Sequence, residues 1–336
     1  MQKMFDIVGL GNAIVDILAQ TDDDFLLREK LHKGSMALID EPRAHYLYKS
    51  MGPVKLVSGG SAANTIVGAA SLGAKTAFVG KVKEDELGQI FSHDLKSMGI
   101  HFSTIPANAG SATARCFVLV TPDGERTMNT YLGASQTLSP DDVDESLISQ
   151  STITYLEGYL WDPPEAKKAF LKATEVAHQS GGQVALTLSD TFCVDRYRDE
   201  FLELLKTNKI DILFANQHEL KSLFLTSDFD IAVTMLQELP VLAAVTRSEH
   251  GVMVVDRNAI LSVPAYPVDR LVDTTGAGDL FAAGFLTGFT RGSDHANSAR
   301  LGAMAAAEVI QHIGARPESD LKIMANENGL LTSELA

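Results

Sequence analysis

The chain has 336 residues, 45% of them hydrophobic and 21% charged, with a formal charge of −15. That balance fits a globular protein of one large domain or one domain with an appendage. The acidic excess argues against nucleic acid or an anionic membrane as partner, though a local site can still hold a phosphate. Cys116 and Cys193 stand far apart and outside metal-ligand spacing, which suits a reducing compartment without disulfides. The start of the chain shows no basic and apolar leader, and no apolar run approaches the roughly 18 residues of a membrane span. The expectation is a cytoplasmic protein.

In chain order, Phe5–Leu10 reads as a buried first strand ending at Gly11-Asn12. Residues 13–57 are less regular, with strand-like pieces at 14–18 and 36–39 and a helix near 42–51. Ser61 stands where it could cap a small-residue helix over 62–70. A strand at 76–80 and a helix at 85–98 follow. The run 116–120, Thr121-Pro122-Asp123-Gly124, then 125–131 predicts a hairpin with Asp-Gly in its turn. From 140 onward helices alternate with strands near 153–157, 183–188, 211–215 and 242–246, the pattern of βαβ units around a mostly parallel sheet. A late hairpin at 251–255 and 259–263 precedes helices at 276–290 and 294–311. Beyond Glu318 the tail is polar and reads as loosely held. The two irregular β-rich stretches are most simply joined as a small second sheet over the main domain.

Chemistry concentrates in Asp273-Thr274-Thr275-Gly276-Ala277-Gly278-Asp279. Two glycines stand where an apolar helix begins. Helix-start amides have no intrahelical partner and carry the positive end of the dipole, and glycine lets a ligand approach them, so this turn suits an anion. A carboxylate beside that anion fits a hydroxyl that loses its proton while attacking phosphorus. The plain alternative for Asp279 is a first-turn acid that stabilises its own helix. Asn216-Gln217-His218-Glu219 follows a strand with the spacing of a capping box. Asn12, Asp16, Gly59, Gly60, Asn216 and the 276–279 turn all follow predicted strands, where sites form in open α/β sheets.

The stretch 273–279 resembles the C-terminal signature of the PfkB family of sugar and nucleoside kinases. Gly59-Gly60-Ser61-Ala62-Ala63-Asn64, continuing to Gly80, resembles its N-terminal signature. Both occur in the family's order, more than 200 residues apart, so the resemblance covers nearly the whole chain. It implies a ribokinase-like three-layer α/β/α domain with a mostly parallel central sheet (1–13, 41–101 and 131–336) and a small β lid (14–40 and 102–130).

The resemblance also implies roles. Asp279 is the general base, and Gly276, Ala277 and Gly278 form the anion hole. Asn12, Asp16, Gly59, Gly60 and Asn64 hold the acceptor. Asn216, Glu219, Thr246, Gly251 and Arg126 serve ATP, with Glu219 ordering Mg²⁺ through water. Asp273 and Thr275 match a loop that binds K⁺ in many relatives. In Thr246-Arg247-Ser248-Glu249-His250-Gly251, Ser248 replaces a glycine of the family's nucleotide turn, and 306–316 resembles the adenine wall.

Residues 11–17 and 128–134 resemble adenosine kinases. Ser61 stands where ribokinase-type chains carry Lys, yet Glu157 keeps a Glu those chains have. The alternatives are a free-sugar kinase for ribose or fructose and a catalytically silent binding protein. Tyr131, Tyr159 and Phe192 are candidates to stack on a base. Relatives use the small sheet as a lid or as a dimer clasp, so a monomer and a homodimer are both open.

Overall fold

The computed structural model describes residues 3–331. Short runs such as Ile-Val-Gly-Leu, apolar on both faces, are suited to strands covered on two sides, and they become the interior of a parallel sheet. The first half of the chain supplies β1 (Phe5–Leu10), β2 (Ile14–Gln20), α1 (Asp23–Arg28), β3 (Met36–Leu38), α2 (Glu41–Ser50), β4 (Lys55–Gly59) and α3 (Ser61–Ser71). Then come β5 (Thr76–Val79), α4 (Glu86–Ser97), β6 (His101–Phe102), β7 (Ala114–Val120) and β8 (Arg126–Tyr131).

Strict alternation follows: α5 (Glu145–Ser149), β9 (Ser151–Glu157), α6 (Pro164–Gln179), β10 (Gln183–Thr187), α7 (Thr191–Lys206) and β11 (Ile212–Asn216). After these stand α8 (Gln217–Leu223), α9 (Phe229–Gln237), β12 (Leu242–Thr246), β13 (Val252–Val255) and β14 (Ile260–Val263). The chain closes with α10 (Ala277–Thr290), α11 (His295–Val309) and α12 (Leu321–Glu327).

The large sheet has nine strands in the order β14-β13-β12-β11-β10-β9-β1-β5-β6. From β12 to β6 every pairing is parallel, and the β13–β14 hairpin adds an antiparallel edge. On one face Phe170 of α6, Phe201 of α7 and Leu220 of α8 bury Val8, Leu10, Leu186 and Leu213. On the other, Ile66 of α3, Phe91 of α4, and Phe281 and Phe285 of α10 cover Ile7, Phe78 and Phe214. The result is the expected three-layer α/β/α architecture. Helices α10 and α11 approach so closely that a Cβ on Gly284 would lie 2.5 Å from the Leu301 carbonyl oxygen.

The small sheet has the order β3-β8-β7-β2-β4. Side chains alternate across it. Ile17, Phe117, Leu119 and Tyr131 pack under Phe25 and Leu26 of α1 and Leu47 of α2. Ile14, Leu18, Cys116, Val118 and Met128 cluster on the other face, and Asp16 shares that face in register with Cys116 and Val57. The two irregular stretches thus meet as expected, and Gly124 takes the turn between β7 and β8 at φ +85°.

Three details depart from the sequence reading. Strand β4, inside the stretch 41–101 assigned to the core, pairs antiparallel with β2 in the small sheet. Ser61 is the first residue of α3 and not its cap; Gly60 holds the cap position at φ +96°. The tail past Glu318 is not loose up to Leu331, because α12 buries Leu321 and Ala325 against Leu72, Leu301, Met304 and Val309. Residues 332–336 of that tail lie outside the described residues. Among the described residues no helix is long and apolar enough to cross a membrane.

Candidate active site

A cleft of about 890 Å³ opens beyond the carboxyl ends of the parallel strands, roofed by the small sheet. On one wall α10 begins. Gly276 caps it in the left-handed region at φ +78°, and a Cβ there would fall 2.7 Å from the Ala315 Cβ, so glycine is required twice over. Gly278 faces open space and lines the cleft. The Ala277 amide donates to the Thr274 carbonyl at 3.2 Å, which corrects its reading as a free anion donor. Gly276 and Gly278 both line the cleft at this turn.

Asp279 accepts from Ser61 Oγ at 2.6 Å and from Asn64 Nδ2 at 2.9 Å. These donors and the Arg316 charge favour its ionised form, yet burial outweighs them and raises its pKa above the usual carboxylate value. A raised pKa strengthens a carboxylate as a proton acceptor once it is ionised. Asn64 Oδ1 is buried without a partner, leaving an acceptor for a ligand hydroxyl.

Asp16 lies on the roof over the same cleft. Burial pushes it up to about 7, against the pull of Arg316 and Arg126 and with a smaller upward push from Asp279. Gly60 lines the cleft and Gly59 does not, and the protein's own packing demands glycine at both. A Cβ on Gly59 would sit 2.3 Å from Asp16 Oδ2, and one on Gly60 would sit 2.2 Å from the Asn12 carbonyl oxygen. Asn12 is spent internally as well. Its backbone N–H and its Nδ2 both donate to Glu157 Oε1 at 2.6 Å, and its Oδ1 accepts from Ser135 Oγ at 2.7 Å. Glu157, fully buried, also accepts from the Ala62 amide at 2.7 Å, and burial pushes it up to about 7.

Asn216 and Glu219 line the cleft and form the capping box: Asn216 Oδ1 accepts from the Glu219 amide, and Glu219 Oε2 accepts from the Asn216 amide, each at 2.9 Å. Burial raises Glu219 to about 7. Among the described residues no cluster of three or more His, Cys, Asp or Glu could hold a metal. Glu219 therefore fits Mg²⁺ only through the water shell of a phosphate-bound ion, the mode that this reluctantly dehydrated cation favours.

Thr246 lines the cleft, while Gly251 is not on its wall. At φ +78°, with a would-be Cβ 2.1 Å from the Val263 carbonyl oxygen, Gly251 shapes the entry to β13 instead. Of the aromatic candidates, Tyr159 and Phe192 line the cleft; Tyr131 is buried on the far face of the small sheet, bonded to Glu41 at 2.9 Å.

Arg126 crosses from β8 to the anion turn. Its Nη1 donates to Thr275 Oγ1 at 3.0 Å, and its Nη2 pairs with Asp273 Oδ2 at 2.5 Å without hydrogen-bond alignment. Asp273 Oδ1 also accepts from the Thr275 amide and hydroxyl, and Oδ2 from the Gly314 amide. Three hydrogen bonds and the Arg126 ion pair thus engage both oxygens of this carboxylate, in the loop expected to serve K⁺.

Sequence reasoning missed two participants. Ser61 was read as a cap and is a donor to Asp279. Arg316 was read only as part of a wall. It donates from Nε and Nη2 to the Ser58 carbonyl (2.9 and 2.8 Å) and from Nη1 to the Ala63 carbonyl (2.9 Å). Desolvation lowers it to about 10, against the upward pull of Asp16 and Asp279.

The chain resembles solved structures over nearly its whole length. A probable sugar kinase protein from Rhizobium etli superposes with a TM-score of 0.92 at 48% identity, covering 98% of this chain and 100% of that one. The adenosine kinase of Sinorhizobium meliloti gives a TM-score of 0.90 at 50% identity, covering 97% and 99%. An adenosine kinase of Saccharomyces cerevisiae is 29% identical over 332 residues, 92% of this chain and 95% of that protein. Residues 46–321 match the family described as pfkB family carbohydrate kinase. With that match and a ribokinase-like fold, the chain belongs to the PfkB family and is a kinase acting on a sugar or nucleoside.

Proposed function

We propose that the protein transfers the γ-phosphoryl of ATP to a primary hydroxyl of a ribonucleoside of the adenosine class. The carrying observation is that Asp279, at the glycine-capped start of α10, shares one cleft with Asp16 and with the apolar face of the small sheet. Asp16 accepts from neighbouring ribose hydroxyls, and the unpartnered Asn64 Oδ1 takes another. Asp279 accepts the proton of the attacking hydroxyl, while Ser61 and Asn64 fix its orientation. The Gly276–Gly278 turn stabilises charge on the transferring group, and Arg126 leaves Asp273 to meet the phosphates. Asn216 and Glu219 would hold the water shell of a nucleotide-bound Mg²⁺, which would supply charge neutralisation. Burial under the small sheet keeps water from competing as acceptor.

A nucleoside is favoured over a free sugar by the amount of apolar surface offered beside Asp16. Leu18, Val118, Met128 and the exposed Met36 and Leu38 line the roof. A free sugar offers only a small patch of C–H groups to that area, much less than a nucleoside with its base. The second reading, a free-sugar kinase, is supported by the similarity to the probable sugar kinase protein of Rhizobium etli. Initial rates with adenosine, guanosine, inosine, ribose and fructose, each with ATP and Mg²⁺, separate the two. A kcat/KM for ribose or fructose above that of every nucleoside rejects the nucleoside assignment.

A further inference from the structure

The cleft brings two carboxylates, Asp16 from the small sheet and Asp279 from α10, into one desolvated space. Left alone, such a pair holds a proton, because like charges in a low-dielectric site cannot both ionise cheaply. A proton on Asp16 weakens its grip on a diol, and a proton on Asp279 removes the base. The working state of the site proposed above needs both anionic, so it needs a positive charge anchored beside both and not cancelled by a partner.

Arg126 is a poor candidate for that charge. It is paired to Asp273, and it sits on the small sheet. Arg316 has the required anchorage. Its hydrogen-bond acceptors are the Ser58 carbonyl, the Ser58 hydroxyl (3.2 Å from Nη2) and the Ala63 carbonyl. All are neutral, so no contacting carboxylate cancels the guanidinium charge. Ser58 precedes Gly59, which packs on the Asp16 carboxylate, and Ala63 precedes Asn64, which donates to Asp279. One planar fork thus grips the chain beside each carboxylate's own neighbour, a geometry that lysine's single ammonium cannot copy.

Resting on the kinase reading, we infer that Arg316 is a positioning residue that supplies the compensating charge for Asp16 and Asp279 and fixes the loop 313–318 to β4 and α3. The other charged or titratable groups around this trio are Arg126 of β8, Cys116 of β7, Asp94 of α4, Glu157 and Tyr155 of β9, and Tyr159 just after that strand. Asp94 accepts from the Ser58 amide at 3.1 Å. Glu157 is committed to Asn12 and Ala62, and Tyr155 lies 3.4 Å from Thr65 Oγ1. Arg126 is the one other cation among them; it too favours ionised Asp16, but its guanidinium is paired to Asp273.

The test is steady-state kinetics of Arg316→Met and Arg316→Lys from about pH 5.5 to 9 with adenosine and Mg-ATP, together with calorimetry of adenosine alone. In Arg316→Met the acid limb of kcat/KM for adenosine moves up by about one pH unit. Activity near pH 6 falls about tenfold and recovers to within about threefold at pH 9, while the KM for ATP changes less than about twofold. Arg316→Lys keeps the wild-type limb at reduced thermal stability. An equal loss at every pH, or an unmoved limb, makes Arg316 a strut only and overturns the inference. If Arg316→Met does not fold, Arg316→Gln, which keeps amide donors for Ser58, carries the same expectation. Turnover of no acceptor by the wild type defeats the kinase reading instead. The pH dependence of adenosine binding, wild type against variant, then still decides the role of Arg316 toward Asp16.

Discussion

The two walls of the cleft are built on opposite principles. The α10 wall is rigid: Gly276 is locked against Ala315, Gly284 is pressed on α11, and Asp279 is held by two side chains from α3. The small-sheet wall is a thin layer with one face on α1 and α2 and the other open to the cleft, and its crossing to the α10 wall includes the Arg126 pairing with Asp273. In the proposed mechanism the groups that meet the reacting atom sit on the first wall and those that hold the acceptor sit on the second, so chemistry and recognition are divided between a packed core and a thin roof.

The largest expected effect probes the rigid wall. Asp279→Asn lowers kcat at least ~10²-fold with nucleotide binding retained, the low end for a lost general base. Near-normal turnover in that variant removes Asp279 from the chemistry. On the opposing wall, Asp16→Asn raises the acceptor KM about 10- to 100-fold, the cost of a lost charge-assisted hydrogen bond. Its kcat should fall much less; a fall equal to that of Asp279→Asn dissolves the division between the walls.

Arg126→Ala comes next. It raises the KM for ATP or lowers kcat by about tenfold, and unchanged kinetics confine Arg126 to its contact with Asp273. A subtler effect concerns pH. Burial raises Asp279, so kcat increases with pH through a limb above the range of an exposed carboxylate. Ser61→Ala deletes a donor to the ionised form and moves that limb upward by about half a pH unit; a downward shift contradicts the assigned base. The smallest effect is expected at the roof, where Leu18→Ser raises the KM for adenosine about fivefold and leaves that for ATP alone. An equal rise for both puts Leu18 elsewhere in the cycle.

Much of this was legible along the chain because its signals are local. Glycines before an apolar helix announce the turn at 276–279, βαβ alternation announces the sheet, and Asp123-Gly124 announces its hairpin. What escaped depends on pairings between distant residues. Strand β4 is five residues with a glycine at its end, and only its partner β2 makes it a strand. Ser61 has the sequence of a cap; its use as a donor to Asp279 is set by a residue 218 positions away. Gly251 and Ala277 fit a motif by spacing, yet the backbone turns one off the cleft wall and the other onto a carbonyl. Arg316 follows Gly314-Ala315 in a loop with no periodicity, and its acceptors lie 253 and 258 residues upstream.

Helix α12 has a bearing on how the chain can be shortened. It works as a wedge: Leu321, Ala325 and Leu331 close a greasy seam over Leu72, Leu280, Leu301 and Met304. Leu72 caps the end of α3, the helix of Asn64; Leu280 lies on α10 beside Asp279; Leu301 and Met304 belong to α11, which packs on α10. Cutting after Glu318, where the composition turns polar, would unroof that seam behind the catalytic wall. Helix α12 is thus a buttress behind α10, on the side away from the cleft.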